Sequence, residues 1–189
     1  MVARLDAPAQ EASALQGLLS SSEMRRAERL RFERHRRRYI VAHARLRQQL
    51  GERLGVPPEA VELAYAANGK PRLTRNGLRF SVSHCDEVAL FAFSSAAQIG
   101  VDVEAIRPIR EADAIAAQFF SARENEAYAA LAPQDKPLAF LRCWTRKEAL
   151  AKALGLDFSM PMKAHAPGCR VHSFFPLPGF IAALACHHG

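Results

Sequence analysis

An α+β fold follows from the order in which hydrophobic periodicity changes along the 189 residues. Helical spacing comes first, then a block of alternating segments, then helical spacing again, then two closing alternating segments. No regular strand–helix–strand series and no dinucleotide-binding glycine fingerprint break that order.

Ser22-Glu23 can start a helix, which an arginine-rich stretch continues. Leu30, Phe32, Tyr39, Ile40, Ala42, Leu46, Leu50 and Leu54 give it a partial apolar stripe, and Gly55 with Pro57-Pro58 ends it. Val61–Tyr65 alternates and predicts a strand. Asn68-Gly69 is a tight-turn pair, followed by Lys70-Pro71. Phe80–His84, Val88–Phe93 and Gln98–Glu104 predict three more strands, the last stopped by Pro108. Helical spacing then returns. Ser121-x-x-Glu124 is a capping box opening a helix to about Leu131, which Pro133 breaks. Pro137–Leu154 predicts a strongly amphipathic helix closed by Gly155. Two short strands, near Arg170–Phe175 and Phe180–Cys186, finish the chain. A weak boundary near Ser94–Ala97 divides it into residues 1–96 and 97–189.

Composition excludes several classes. With 49% apolar residues the chain is not intrinsically disordered. The late apolar stretch Phe180–Cys186 is seven residues, short of the ~20 that a membrane helix needs. Met1–Asp6 has no signal-peptide core, so a soluble, cytoplasmic protein is expected. Cys85, Cys143, Cys169 and Cys186 form no CxxC pair and are expected to be reduced thiols. Cys186-His187-His188 reads as an exposed tail, since structural zinc takes about four spaced ligands.

The net charge of +7 is concentrated. Residues 25–53 hold 11 arginines and three acids, which leaves 15 basic and 16 acidic residues for the rest. Such a segment should draw an anion: nucleic acid, an acidic protein face or a phosphorylated small molecule. A solvated helix face is the plain alternative.

Asp102 and Glu104 stand two apart on a predicted strand, so both carboxylates share a face, while Val101 and Val103 point to a core. Two neighbouring like charges need compensation, and hard oxygen donors suit magnesium. The same spacing also describes an ordinary solvent-facing pair. Glu148 and Lys152 are four apart on the 137–154 helix and share a face with Trp144, as a surface ion pair would too. Lys70 at its rigid turn and His84 beside Ser83 could meet a phosphate, or be solvated and structural respectively. The sequence lacks a GxSxG elbow, an HExxH pair and a Walker A loop. Carboxylates for a cation, cations for phosphates and no nucleophile suit an enzyme that moves a phosphorus-centred group between two bound substrates.

These residues resemble a known family. Asn68-Gly69-Lys70-Pro71, Phe80–His84, Ile99–Glu104, Phe120-Ser121-x-x-Glu124 and Trp144-Thr145-Arg146-Lys147-Glu148-Ala149-Leu150-x-Lys152-Ala153-x-Gly155 stand in the order and spacing of the surfactin-synthetase-activating (Sfp-type) 4′-phosphopantetheinyl transferases. The resemblance covers about residues 20–186, and GVDVE followed by WTRKEALAK is its most specific part. It implies a pseudodimer of two similar α+β halves with coenzyme A in the cleft between them. Residues 1–96 would recognise coenzyme A and the carrier, and residues 97–189 would carry the metal site and catalytic helix. The implied reaction transfers phosphopantetheine from coenzyme A to a serine of an apo acyl or peptidyl carrier protein and releases adenosine 3′,5′-bisphosphate.

The resemblance also implies roles. Asp102, Glu104 and Glu148 would hold Mg2+, with Mn2+ as an acceptable substitute. Lys152 would contact the phosphates and steady the leaving group. Glu148, directly or through a metal-bound water, would be the general base. Lys70, Ser83 and His84 would line the coenzyme A pocket, and Arg26 would meet the 3′-phosphate, although arginines 25–38 leave that register open. Glu124 matches a family acid whose role is not defined, and capping its helix suffices to explain it. The chain is shorter than the type, with the shortfall expected in the flanks. A monomer should suffice, and the arginine-rich segment suits the acidic recognition helix of a carrier. Two other readings remain at this level: a coenzyme A-binding scaffold without catalysis, and a basic nucleic-acid-binding module, which the carboxylates would not explain.

Overall fold

The computed structural model describes residues 1–65, 70–74, 77–156 and 167–188. The chain divides into two units, Met1–Asn76 with Asp86–Ala89, and Gly77–Cys85 with Leu90–Gly189.

The first unit contains β1 (Val2–Arg4), α1 (Ala9–Leu15), α2 (Ser21–Glu28), α3 (Glu33–Leu54), β2 (Leu63–Tyr65) and β3 (Pro71–Leu73). The continuous helix expected from Ser22 to Leu54 is in fact two. Ser20, not Ser22, is the N-cap: its hydroxyl accepts from the Glu23 amide, and Glu23 accepts from the Ser20 amide. α2 stops before Arg29, and Phe32 is extended (φ −99, ψ 131) ahead of α3. Residues 31–38 hold one apolar side chain, the exposed Phe32, so the apolar stripe is interrupted there. The break also lets the Arg36 guanidinium donate to the Leu30 carbonyl at the end of α2 (3.2 Å).

α3 buries Ile40, Val41, Ala44, Leu46 and Leu50 and ends at Gly55, whose positive φ of 68 forms the left-handed cap. Two of its arginines are structural. Arg38 makes a bidentate pair with Asp6 (2.6 and 2.9 Å). Arg47 donates to the buried Glu23 (2.8 Å) and to the carbonyls of Pro58 and Val61. Tyr65 on β2 donates to the other oxygen of Glu23 (2.7 Å). Glu23 thus ties α2, α3 and β2 together, and its pKa lies well below the usual carboxylate range: burial raises it, but the donors from His43, Arg47, Ser20 and Tyr65 lower it further. β2 and β3 pair antiparallel, Leu63 opposite Leu73. The expected Asn68-Gly69 turn lies outside the described residues.

The second unit contains β4 (Arg79–Cys85), the Leu90–Ser94 part of β5 (Val88–Ser94), β6 (Gln98–Ala105), α4 (Ala112–Phe119), α5 (Ala122–Ala129), α6 (Lys136–Leu154), β7 (Cys169–Phe174) and β8 (Phe180–His187). The alternating segments became strands within a residue or two of their expected bounds. An antiparallel sheet runs β6–β8–β7, with Asp102 opposite Ala183 and Glu104 opposite Ile181.

α6 lies on this sheet. Ala149, Leu150 and Ala153 pack on Ala183 and Ala185, while Phe140 and Leu141 join Phe120, Tyr128, Ala116 and Ile181. The approach is close because small residues permit it: a Cβ at Gly100 would lie 1.9 Å from the Ala149 carbonyl oxygen. α6 is not the simply amphipathic helix expected, since Thr145 and Lys147 on its flank are also buried, α5 lying against it. Gly155 closes it at φ 66. α5 begins with the expected Ser121/Glu124 capping box. Among the described residues no helix is long and apolar enough to cross a membrane.

Candidate active site

Strand period places Gly100, Asp102 and Glu104 on one face of β6, the face that α6 covers. This excludes the solvent-facing reading of the carboxylate pair: Asp102 is 5% exposed. β6 is the edge of its sheet, and its outer amides are taken up by side chains of β4 rather than by a strand ladder. Val101 donates to Ser81 Oγ (3.1 Å), Val103 to Ser83 Oγ (3.4 Å) and Ala105 to Cys85 Sγ (3.4 Å). This arrangement brings hydroxyl and thiol groups beside the carboxylates.

Asp102 is held on one oxygen only. Its Oδ1 accepts from Ser83 Oγ (2.8 Å) and from Lys152 Nζ (2.7 Å), and the same ammonium stands 3.4 Å from Ser83 Oγ. Its Oδ2 is buried and has no hydrogen-bond partner. Glu104 accepts from Cys85 Sγ (3.3 Å). Its pKa is raised: burial is the main cause, the Cys85 bond opposes it, and the charge of Asp102 adds to it. Glu148, one turn before Lys152 on α6, is also raised, first by burial, with Lys152 opposing and Asp102 and Glu104 adding. Burial first, and then the neighbouring carboxylates, disfavour the charged forms of Glu104 and Glu148.

The donor set fits a hard divalent cation in kind: the candidate donors are carboxylate oxygens, and one buried oxygen lacks a hydrogen-bond partner. Among the described residues, however, no three His, Cys, Asp or Glu side chains converge closely enough to hold a metal ion. The lysine ammonium is the counter-charge closest to Asp102.

Of the site residues expected from sequence, Ser83, Asp102 and Lys152 form one hydrogen-bonded cluster, with Glu104 and Glu148 electrostatically coupled to it. His84 is exposed on β4, on the opposite side of the strand from Ser83. Arg26, exposed on α2, and the half-buried Lys70 belong to the first unit. Trp144 stacks on Phe140 and meets Phe119 edge-on.

Glu124 does more than cap its helix. It accepts from Lys147 Nζ (2.9 Å) and from Cys143 Sγ (3.4 Å), so it ties α5 to α6 one residue before Glu148. Burial raises its pKa, but the Ser121 amide and Lys147 lower it by more. Burial and Glu124 push the Cys143 thiol up to about 12. Lys147, 1% exposed, shows no signal of its own in the sequence, because a lysine on a helix usually reads as solvated. Ser81, Ser83 and Cys85 share a period of two with Gly100, Asp102 and Glu104, but that spacing does not say which strand they face.

Comparison with known proteins gives a consistent picture. A family model described as the 4′-phosphopantetheinyl transferase superfamily matches residues 98–174, which include Asp102, Glu104, Glu148 and Lys152. The chain is 41% identical over 155 residues to the 4′-phosphopantetheinyl transferase HetI of Nostoc sp., covering 80% of this chain and 65% of HetI. It is 30% identical over 166 residues to the protein named "Putative 4′-phosphopantetheinyl transferase slr0495" of Synechocystis sp., covering 86% of this chain and 68% of slr0495. It is 30% identical over 146 residues to the 4′-phosphopantetheinyl transferase psf-1 of Bacillus pumilus, covering 77% of this chain and 61% of psf-1. The chain thus spans about two thirds of the length of these relatives.

Proposed function

The chain belongs to the 4′-phosphopantetheinyl transferase superfamily, and from that premise we propose that it transfers the 4′-phosphopantetheine group of coenzyme A to a serine of an apo carrier protein. The serine oxygen attacks the phosphorus that bears the pantetheine arm. A serine O–P bond forms, the bridging P–O bond breaks, and adenosine 3′,5′-bisphosphate leaves with the bond's electron pair.

Glu148 takes the serine proton. Burial and two neighbouring carboxylates raise its pKa, which makes it a stronger base than a solvated glutamate. Lys152 contacts the phosphates and offsets charge growing on the bridging oxygen of the leaving group. Asp102, Glu104 and Glu148 would hold Mg2+, or Mn2+ in its place, and the ion when bound would neutralise the pyrophosphate oxygens. Ser83 and His84 on β4, with Lys70 and Arg26, are assigned to coenzyme A. The absence of a nucleophile from the motifs of this chain agrees with the reaction, because the partner supplies it.

The same reading keeps the family's pseudodimer, with residues 1–96 for recognition and 97–189 for metal and catalysis, acting as a cytoplasmic monomer. Exposed arginines at 25, 29, 31 and 34 suit the acidic recognition helix of a fatty-acid, polyketide or nonribosomal-peptide carrier.

One observation supports this reading above the rest: a buried aspartate with one oxygen on a lysine and a serine and the other without a partner. The test is intact-protein mass spectrometry of apo carrier proteins incubated with this protein, coenzyme A and Mg2+, with an EDTA control. A metal-dependent gain of one phosphopantetheine mass on the acceptor serine is expected. Coenzyme A binding without transfer to any carrier would favour the scaffold reading instead.

A further inference from the structure

The three β4 side chains that cap the edge of β6 follow a repeating rule. Each accepts the amide of one β6 residue, and two of them also donate to the side chain of the residue before it. Ser81 accepts from Val101, and the preceding residue is Gly100, which has no side chain to hold. Ser83 accepts from Val103 and donates to the carboxylate of the preceding Asp102 (2.8 Å). Cys85 accepts from Ala105 and donates to the carboxylate of the preceding Glu104 (3.3 Å). The thiol at 85 therefore occupies, toward Glu104, the position that the Ser83 hydroxyl occupies toward Asp102. Its Sγ accepts a backbone amide and donates to the Glu104 carboxylate, so one sulfur links the β6 backbone to that side chain.

We infer that Cys85 is a positioning residue of the active site, which orients the Glu104 carboxylate for a divalent cation as Ser83 orients Asp102. The inference rests on the proposed metal role of Asp102, Glu104 and Glu148. It gives a half-buried thiol a task beyond capping the Ala105 amide. Outer hydrogen bonds of this kind set ligand orientation, and their removal typically weakens metal binding by about tenfold or more.

Direct Mn2+ titration of the full chain, read from the electron paramagnetic resonance signal of unbound Mn2+ with coenzyme A present, tests it without turnover. Wild type should bind Mn2+. Cys85→Ala should bind about tenfold more weakly. Cys85→Ser, which restores a donor, should stay within about threefold of wild type. Thermal unfolding without metal checks that each variant is folded. Should Cys85→Ala fail to fold, Cys85→Val takes its place, similar in volume and unable to donate. Equal Mn2+ affinity in a folded non-donor variant and wild type would overturn the role of Cys85 while leaving the transferase reading intact. So would Cys85→Ser binding as weakly as Cys85→Ala, since the donated hydrogen bond would then not be the cause. Failure of wild type to bind Mn2+ would remove the premise, and both would fall together.

Discussion

At the scale of single residues, a buried carboxylate costs free energy unless its oxygens are satisfied, and Asp102 satisfies one. Replacing it by Asn keeps the volume and an acceptor for Ser83, and removes the charge that Lys152 faces and a cation would require. Asp102→Asn should therefore lower transfer by at least about a hundredfold while the circular dichroism spectrum stays native. Transfer within a few-fold of wild type would remove Asp102 from the catalytic machinery. This residue was legible because the period of a strand is fixed, so the spacing of Asp102 and Glu104 already put both on one face. Lys152 was legible in the same way, one helical turn from Glu148. Cys85 and Lys147 were not. Their meaning depends on which neighbour lies across the interface, Glu104 for one and Glu124 for the other, and local spacing carries no such information.

Between elements, the geometry depends on how α6 is seated, because Glu148 and Lys152 both ride on it. Two of the contacts that seat it can be tested one residue at a time. The first is the backbone approach at Gly100. Gly100→Ala puts a methyl into the path of the Ala149 carbonyl, so α6 must shift, and unfolding should become easier by about 3 kcal/mol. Transfer should fall more than the stability loss alone explains, read as activity at a temperature where the variant is fully folded. The second contact is the Glu124–Lys147 pair, which joins α5 to α6. Glu124 has a lowered pKa in the fold, so the unfolded chain takes up its proton first as the solution is acidified. Its contribution is complete above the ordinary glutamate value of 4.5 and is lost as the pH falls through the lower native value. Glu124→Gln keeps a capping-box acceptor but removes the charge that Lys147 faces at 2.9 Å. It should destabilise the protein by about 2 kcal/mol at neutral pH and flatten the loss of stability below pH ~4.5. Urea midpoints measured from pH 3 to 7 read both effects; an unchanged acid slope would remove Glu124 as a contributor. The α5 cap was legible as Ser121-x-x-Glu124, whereas the ion pair behind it was not. The break between α2 and α3 was equally hidden, since good helix formers on both sides of Phe32 mask a gap in the apolar stripe.

For the whole molecule, the dominant sequence feature was the arginine cluster of residues 25–53, and the structure divides it by burial rather than by position. Arg38 and Arg47 are buried on Asp6 and Glu23, where they hold the first unit together. Arg25, Arg26, Arg29, Arg31 and Arg34 are exposed. Counting charges could not separate these groups, because the separation depends on acids as distant in sequence as Asp6. The division has opposite consequences for substitution. Arg47→Ala leaves Glu23 buried with its guanidinium partner removed, which should cost about 3–5 kcal/mol and show chiefly as a lower Tm. Arg25→Glu combined with Arg29→Glu removes no internal pair that the structure shows, so Tm should move by only a few degrees. If these side chains meet an acidic carrier helix, the double variant should raise the KM for the carrier about tenfold and leave the KM for coenzyme A nearly unchanged. The effect should shrink as salt rises from low to physiological strength, because exposed charges more than about 8–10 Å apart are then largely screened. A raised KM for coenzyme A alone would instead place these two arginines at the nucleotide. Unchanged KM for both substrates would mean that the excess charge of this segment serves neither of them, and carrier recognition would have to be sought on the other unit.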